Sequence, residues 1–88
     1  MSENSENVIK GCIDLLEGVM KDDSVPRNIR KSAEEVRVLL TGSKDSLAVK
    51  AAASINILDE INNDPNIPFH TRTIIWNIVS QIETLSVE

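Results

Sequence analysis

Cys12 and His70 are each the only residue of their type in the chain, and they are the side chains that could pair as thiolate and base in nucleophilic chemistry. Such a thiolate needs partial exposure and a base within hydrogen-bond reach. Cys12 falls between Ile9 and Leu16 on an apolar helical face, and nothing in the spacing brings His70 to it. The thiol is therefore expected to be buried and to behave as a small hydrophobe. One cysteine and one histidine cannot build a Cys/His zinc site or a His-x-x-x-His helix site, so no metal is expected.

The carboxylates suggest a different chemistry. Asp22, Asp23 and Asp64 sit at two similar turns and could lie at one end of the molecule, where a divalent cation would bridge them. Calcium loops, however, spread their ligands over a dozen residues around a glycine, and di-iron bundles need Glu-x-x-His pairs; both patterns are missing. The expected role of these aspartates is turn formation, their oxygens accepting from nearby backbone N–H groups. Glu34-Glu35 and Asp59-Glu60 read as solvated helix faces. No Gly-x-Gly-x-x-Gly or Gly-Lys-Ser/Thr signature occurs, and three glycines scattered through the chain cannot cradle a phosphate. Gly11 and Gly18 could let another helix approach closely, or could be isolated surface glycines. No cofactor is expected, and the chain does not read as an enzyme.

Positive charge gathers at Arg27, Arg30 and Lys31, with Lys21 before them and Arg37 beyond. At a helix start these cations oppose the helix dipole, at about 0.3 to 1 kcal/mol each when exposed. The structural explanation is pairing with Asp22, Asp23, Glu34 and Glu35; in particular Arg30 should reach Asp22 or Asp23, and Arg72 should reach Asp64. The functional explanation is an anionic partner such as RNA, contacted by Arg27 and Lys31. No aromatic residue interleaves with these cations to stack on bases.

The elements that position these groups are helices. Ile9, Cys12, Ile13, Leu16, Val19 and Met20 recur at three- and four-residue spacings and predict a helix over about 5–21, with Ser5 a candidate cap. Ile29, Ala33, Val36 and Leu40 predict a second from Pro26 to Thr41, with Gly42 at the position of a left-handed cap. Leu47, Ala51, Ile55, Leu58 and Ile61 predict a third over 44–62. Ile75, Ile78, Ile82 and Leu85 predict a fourth over 68–86. Displaced by 42 residues, the sequence matches itself at Ile13 and Ile55, Leu16 and Leu58, Asp22 and Asp64, Pro26 and Pro68, and Arg30 and Arg72. Two amphipathic hairpins, 5–41 and 44–86, bury their faces only against each other. The expected fold is all-α, an antiparallel up-and-down four-helix bundle in a single domain, 1–88.

With 88 residues, 41% of them hydrophobic and 26% charged, the chain suits one small folded domain and is too apolar for disorder. Charge interrupts every apolar stretch well before the roughly 20 residues that a membrane span needs, and no basic apolar leader opens the chain, so a cytoplasmic protein is expected. Nine basic against fourteen acidic residues leave a net charge of −5, which disfavours general nucleic-acid affinity.

The segments Asp22-Asp23-Ser24-Val25-Pro26, Ile29-Arg30 and Ala33 resemble the turn and helix start of HEAT repeats. The second hairpin departs from that pattern at Thr71 and Ile75, and two units fall short of a solenoid, so no superhelix is expected. Over residues 5–86 the chain is similar to a family of short, uncharacterised archaeal proteins that share the duplicated acidic-turn-proline hairpin. That resemblance implies an archaeal cytosolic four-helix protein and brings no activity or site with it.

One face remains. Opposite Ile78 on the fourth helix lie Phe69, Arg72, Trp76, Ser80 and Glu83, so both aromatic residues of the chain are expected to point outward. Val49, Ala53 and Ile57 of the third helix are candidate neighbours. The expected function is a noncatalytic helical module for protein interaction or self-association through Phe69, Arg72, Trp76 and Ile57. The alternative is weak nucleic-acid association through Arg27, Arg30 and Lys31.

Overall fold

Each amphipathic segment forms one helix. The computed structural model describes residues 3–42 and 44–85, in which α1 (Glu3–Met20), α2 (Arg27–Gly42), α3 (Leu47–Asn62) and α4 (Phe69–Leu85) follow one another with no strand. Helix interiors match the periodicity; the ends shift. α1 already includes Glu3, so Ser5 is no cap but a buried residue inside the helix. α3 starts later than expected, because Ser46 caps it: its Oγ accepts from the Val49 N–H at 3.3 Å. Gly42 ends α2 without a left-handed turn, since no described residue has positive φ.

Residues three and four apart from each helix meet in one core. Cys12, Leu16 and Val19 come from α1; Ile29, Ala33, Val36 and Leu40 from α2; Ala51, Leu58 and Ile61 from α3; Ile75, Ile78, Ile82 and Leu85 from α4. Ile9 and Met20 lie half-buried at its edge. Each helix packs on its chain neighbours, and α4 returns to pack on α1, so the four form a closed ring 35 × 20 × 19 Å in extent. Ring closure excludes a superhelix. Burying an Ile or Leu contributes about 1.5–3 kcal/mol, so truncating Ile75 or Ile78 to Ala, at a cost of about 2–5 kcal/mol, would endanger the whole fold.

Two glycines on α1 behave differently. A Cβ on Gly11 would stand 3.3 Å from Oε1 of Gln81, so this glycine admits the α4 side chain; Gly18 faces open space.

The two turns share one construction. Asp22 and Asp64 each accept from the backbone N–H two residues on, Ser24 at 2.9 Å and Asn66 at 2.8 Å. Their carbonyls accept from Val25 and Ile67, which insert into the core. Pro26 and Pro68 then open the next helices, their carbonyls accepting from Arg30 and Arg72.

Candidate functional site

The up-and-down order brings both acidic turns and the starts of α2 and α4 to one end of the bundle. There the hairpins clasp each other reciprocally. Oδ2 of Asp22, in the first turn, lies 2.8 Å from Nε2 of His70, in the first turn of α4. Nδ2 of Asn28, in the first turn of α2, donates to Oδ2 of Asp64 at 3.0 Å. Asn28 and His70 are themselves 42 residues apart, as are Asp22 and Asp64, so the two clasps are equivalent.

These bonds displace the pairing expected from sequence. Among the described residues, Arg37 pairs with Glu17 at 3.4 Å, and the His70–Asp22 hydrogen bond is an ion pair only when the imidazole is protonated. Neither Arg30 nor Arg72 reaches its turn. The aspartate oxygens are already taken by the local backbone and by the other hairpin, and Arg27 and Lys31 likewise make no ion pair with a described carboxylate.

The clasp brings together Ser24, His70 and Asp22, which as residue types suggest a nucleophile, a base and an orienting acid. Their geometry does not. Oγ of Ser24 donates to Oδ1 of Asp22 at 2.6 Å, and Nε2 of His70, only 3.5 Å from Oγ, is the same nitrogen that faces Asp22. An ionised carboxylate only accepts, so Nε2 carries the proton and has no lone pair for the serine. The cluster is a structural clasp. Bonds from the Ser24 side chain, from His70 and from the Ser24 backbone hold Asp22 down at about 2. Asp64 is lowered by the Asn66 N–H and by Asn28.

Cys12 is fully buried, and burial pushes its thiol up to about 11. Its Sγ lies 4.0 Å from Gln81 Oε1, far in sequence from His70, which stands in solvent at the turn end. Among the described residues no group of three His, Cys, Asp or Glu side chains could hold a metal ion, and no helix is long and apolar enough to cross a membrane.

Two surface regions remain. On α4, Phe69 is 81% and Trp76 56% exposed, with Ser80 and Glu83 also exposed and Arg72 half-buried. Val49 is exposed, but Ile57 is half-buried and packs against the core, so it offers little free surface. On the first hairpin, Arg27, Arg30 and Lys31 line a shallow cleft together with Met20 and Glu34. The cleft joins the end of α1 to the start of α2, a juxtaposition that the charge cluster alone did not reveal.

The family model for the "Uncharacterised protein family (UPF0147)" matches residues 1–85. The chain belongs to this family. A UPF0147 protein of Methanosarcina mazei is 49% identical over 87 residues, covering 99% of this chain and 94% of that one. Another, from Archaeoglobus fulgidus, is 39% identical over the full length of both. The crystal structure of a UPF0147 protein from Thermoplasma acidophilum superposes with a TM-score of 0.90 at 35% identity, covering 97% of this chain and all of that one. The unknown-function protein MMP1188 superposes at 0.85, with 43% identity over 90% of each chain. The resemblance to short archaeal four-helix proteins is thus correct, and UPF0147 is the family it pointed to.

Proposed function

We propose that this UPF0147 protein is a noncatalytic, cytoplasmic helical module, built from an internally repeated hairpin, that associates with a protein surface through the outer face of α4; its own copy is the simplest partner. The carrying observation is the exposure of Phe69 and Trp76 on that face. Their equivalents 42 residues earlier are Arg27 and Glu34, so the hairpin fold does not require aromatics there. An exposed tryptophan is among the residues that contribute most at interfaces, where truncation commonly costs about 2 kcal/mol or more. Sedimentation of the wild type and of Trp76→Ala over a wide concentration range tests this. The wild-type mass should rise with concentration, and the variant should remain monomeric with nearly unchanged helicity and Tm. A wild type that stays monomeric throughout, or an oligomer indifferent to the substitution, overturns self-association through this face.

Weak nucleic-acid association is the second reading. It is favoured by the failure of Arg27, Arg30 and Lys31 to find the carboxylates that would have explained them.

A further inference from the structure

We propose that the cleft between the end of α1 and the start of α2 binds a single phosphate group. Three observations converge on it. Arg27, Arg30 and Lys31 line one concave surface, and none of them is neutralised by a carboxylate of the described chain. The first turn of α2 holds no acidic residue, so the positive end of the helix dipole adds to the three cations instead of being offset. Finally, Nε of Arg30, on a side chain that lines the cleft, is buried with no hydrogen-bond partner. A guanidinium offers parallel N–H donors that match two phosphate oxygens; with its Nε shielded, Arg30 has its Nη–H groups left for a ligand.

The fold does not demand this chemistry. The equivalent positions in the second hairpin, displaced by 42 residues, are Phe69 for Arg27 and Thr73 for Lys31, although both hairpins share the same turn. Like charges at a helix start are unfavourable, and of the three only Arg30 has a cationic equivalent, Arg72, in the second hairpin. An incoming anion offsets that cost.

The surroundings restrict the ligand. Met20 and Glu34 also line the cleft, and Lys31, Glu34, Glu35 and exposed Val38 line a second shallow depression. A long polyanion tracking along α2 would meet both Glu34 and Glu35, whereas one compact phosphate group in the cleft meets only Glu34. That group could be a free phosphate compound or one phosphate of an RNA strand, and the two sources separate experimentally. This inference concerns a surface other than the α4 face, and it supplies the chemistry for the second reading above.

Calorimetric titration of the full chain with inorganic phosphate, pyrophosphate and a short single-stranded RNA tests it, together with amide chemical shifts to locate the contact. Saturable binding should perturb amides at the end of α1 and the start of α2. Lys31→Thr, which installs the residue found in the other hairpin, should fold normally and weaken binding at least about tenfold, as should Arg27→Ala. Arg30→Gln should abolish it, and because burial at Arg30 risks the fold, the first two variants carry the decision. Trp76→Ala should bind as the wild type does. Tighter binding of pyrophosphate than of RNA identifies a free phosphate compound. Tighter binding of RNA, with log K falling by about 0.7 per decade of salt for the one neutralised phosphate, identifies a strand phosphate. No saturable binding of any of the three probes, or unchanged affinity in both Lys31→Thr and Arg27→Ala, overturns the proposal.

Discussion

Buried polar atoms set the sharpest expectations for single residues. Thr71 Oγ1 and Ser54 Oγ lie in the core without a hydrogen-bond partner among the described residues, and an orphaned buried hydroxyl costs about 1–3 kcal/mol. Thr71→Val keeps the shape and removes the penalty, so it should stabilise by about 1 kcal/mol and raise Tm by roughly 4–8 °C in calorimetry. A lower Tm would mean that the hydroxyl has a partner after all. Cys12 carries the opposite expectation, of inertness. Its thiol, buried and pushed up to about 11, should react with a thiol reagent only through opening of the fold, far more slowly than in denatured chain. Labelling at the denatured rate would place Cys12 outside the core. The Cys12 position was legible from helical spacing alone. The orphaned hydroxyls were not, because sequence shows which face a residue occupies but not whether an acceptor lies within 3.5 Å of it.

Between elements, the decisive contact is the reciprocal clasp of Asp22 with His70 and Asp64 with Asn28. It gives the bundle a signed dependence on pH. Asp22 is held at about 2 in the folded protein, below the ordinary aspartate value of about 3.9. The unfolded chain therefore binds its proton first, and the stabilisation is present above about pH 4 and lost as pH falls toward 2. Asp64, shifted the same way, adds to the trend. Tm measured from pH 5 to pH 2 should fall for the wild type and fall less steeply for Asp22→Asn; parallel curves would show that Asp22 contributes nothing to the acid limb. Residues 48 and 36 apart in sequence make these contacts, and no local pattern announces such pairs. The 42-residue spacing held a usable signal, since Asn28 and His70 stand that far apart and each lies just after an acidic turn.

At the scale of the whole molecule, the core belongs to no hairpin alone. α1 packs on α4 as well as on α2, and α3 on α2 as well as on α4. Cutting between the hairpins would expose Cys12, Leu16, Ile75 and Ile78 to water from two sides, and isolated helices of this length are marginal. A fragment of residues 1–42 should therefore show little of the helicity that circular dichroism finds in the full chain, and unfolding of the full chain should be a single transition. A fragment as helical as its share of the intact protein would establish the hairpin as an independent unit.

The order of amino acids by itself determined the four helices, the apolar stripe of each and the likeness of the two halves, because a period of about 3.6 residues and a buried face are local properties of a chain in water. It also determined that Phe69 and Trp76 face outward, since they lie opposite Ile78 on one helix. Helix ends are less legible: Ser5, a candidate cap by sequence, is buried inside α1, and Ser46 caps α3 with no signal in the apolar spacing, because capping depends on where the chain enters from. Tertiary structure alone decided which groups satisfy the acidic turns. Arg30 and Arg72 were the expected partners by proximity in sequence, but the turn oxygens are saturated by the nearby backbone and by the opposite hairpin, whose approach exists only once the ring of helices has closed. The same closure gathers Arg27, Arg30 and Lys31, none of them ion-paired with a described carboxylate, around a cleft that Glu34 shares, a consequence of packing that no spacing of residues contains.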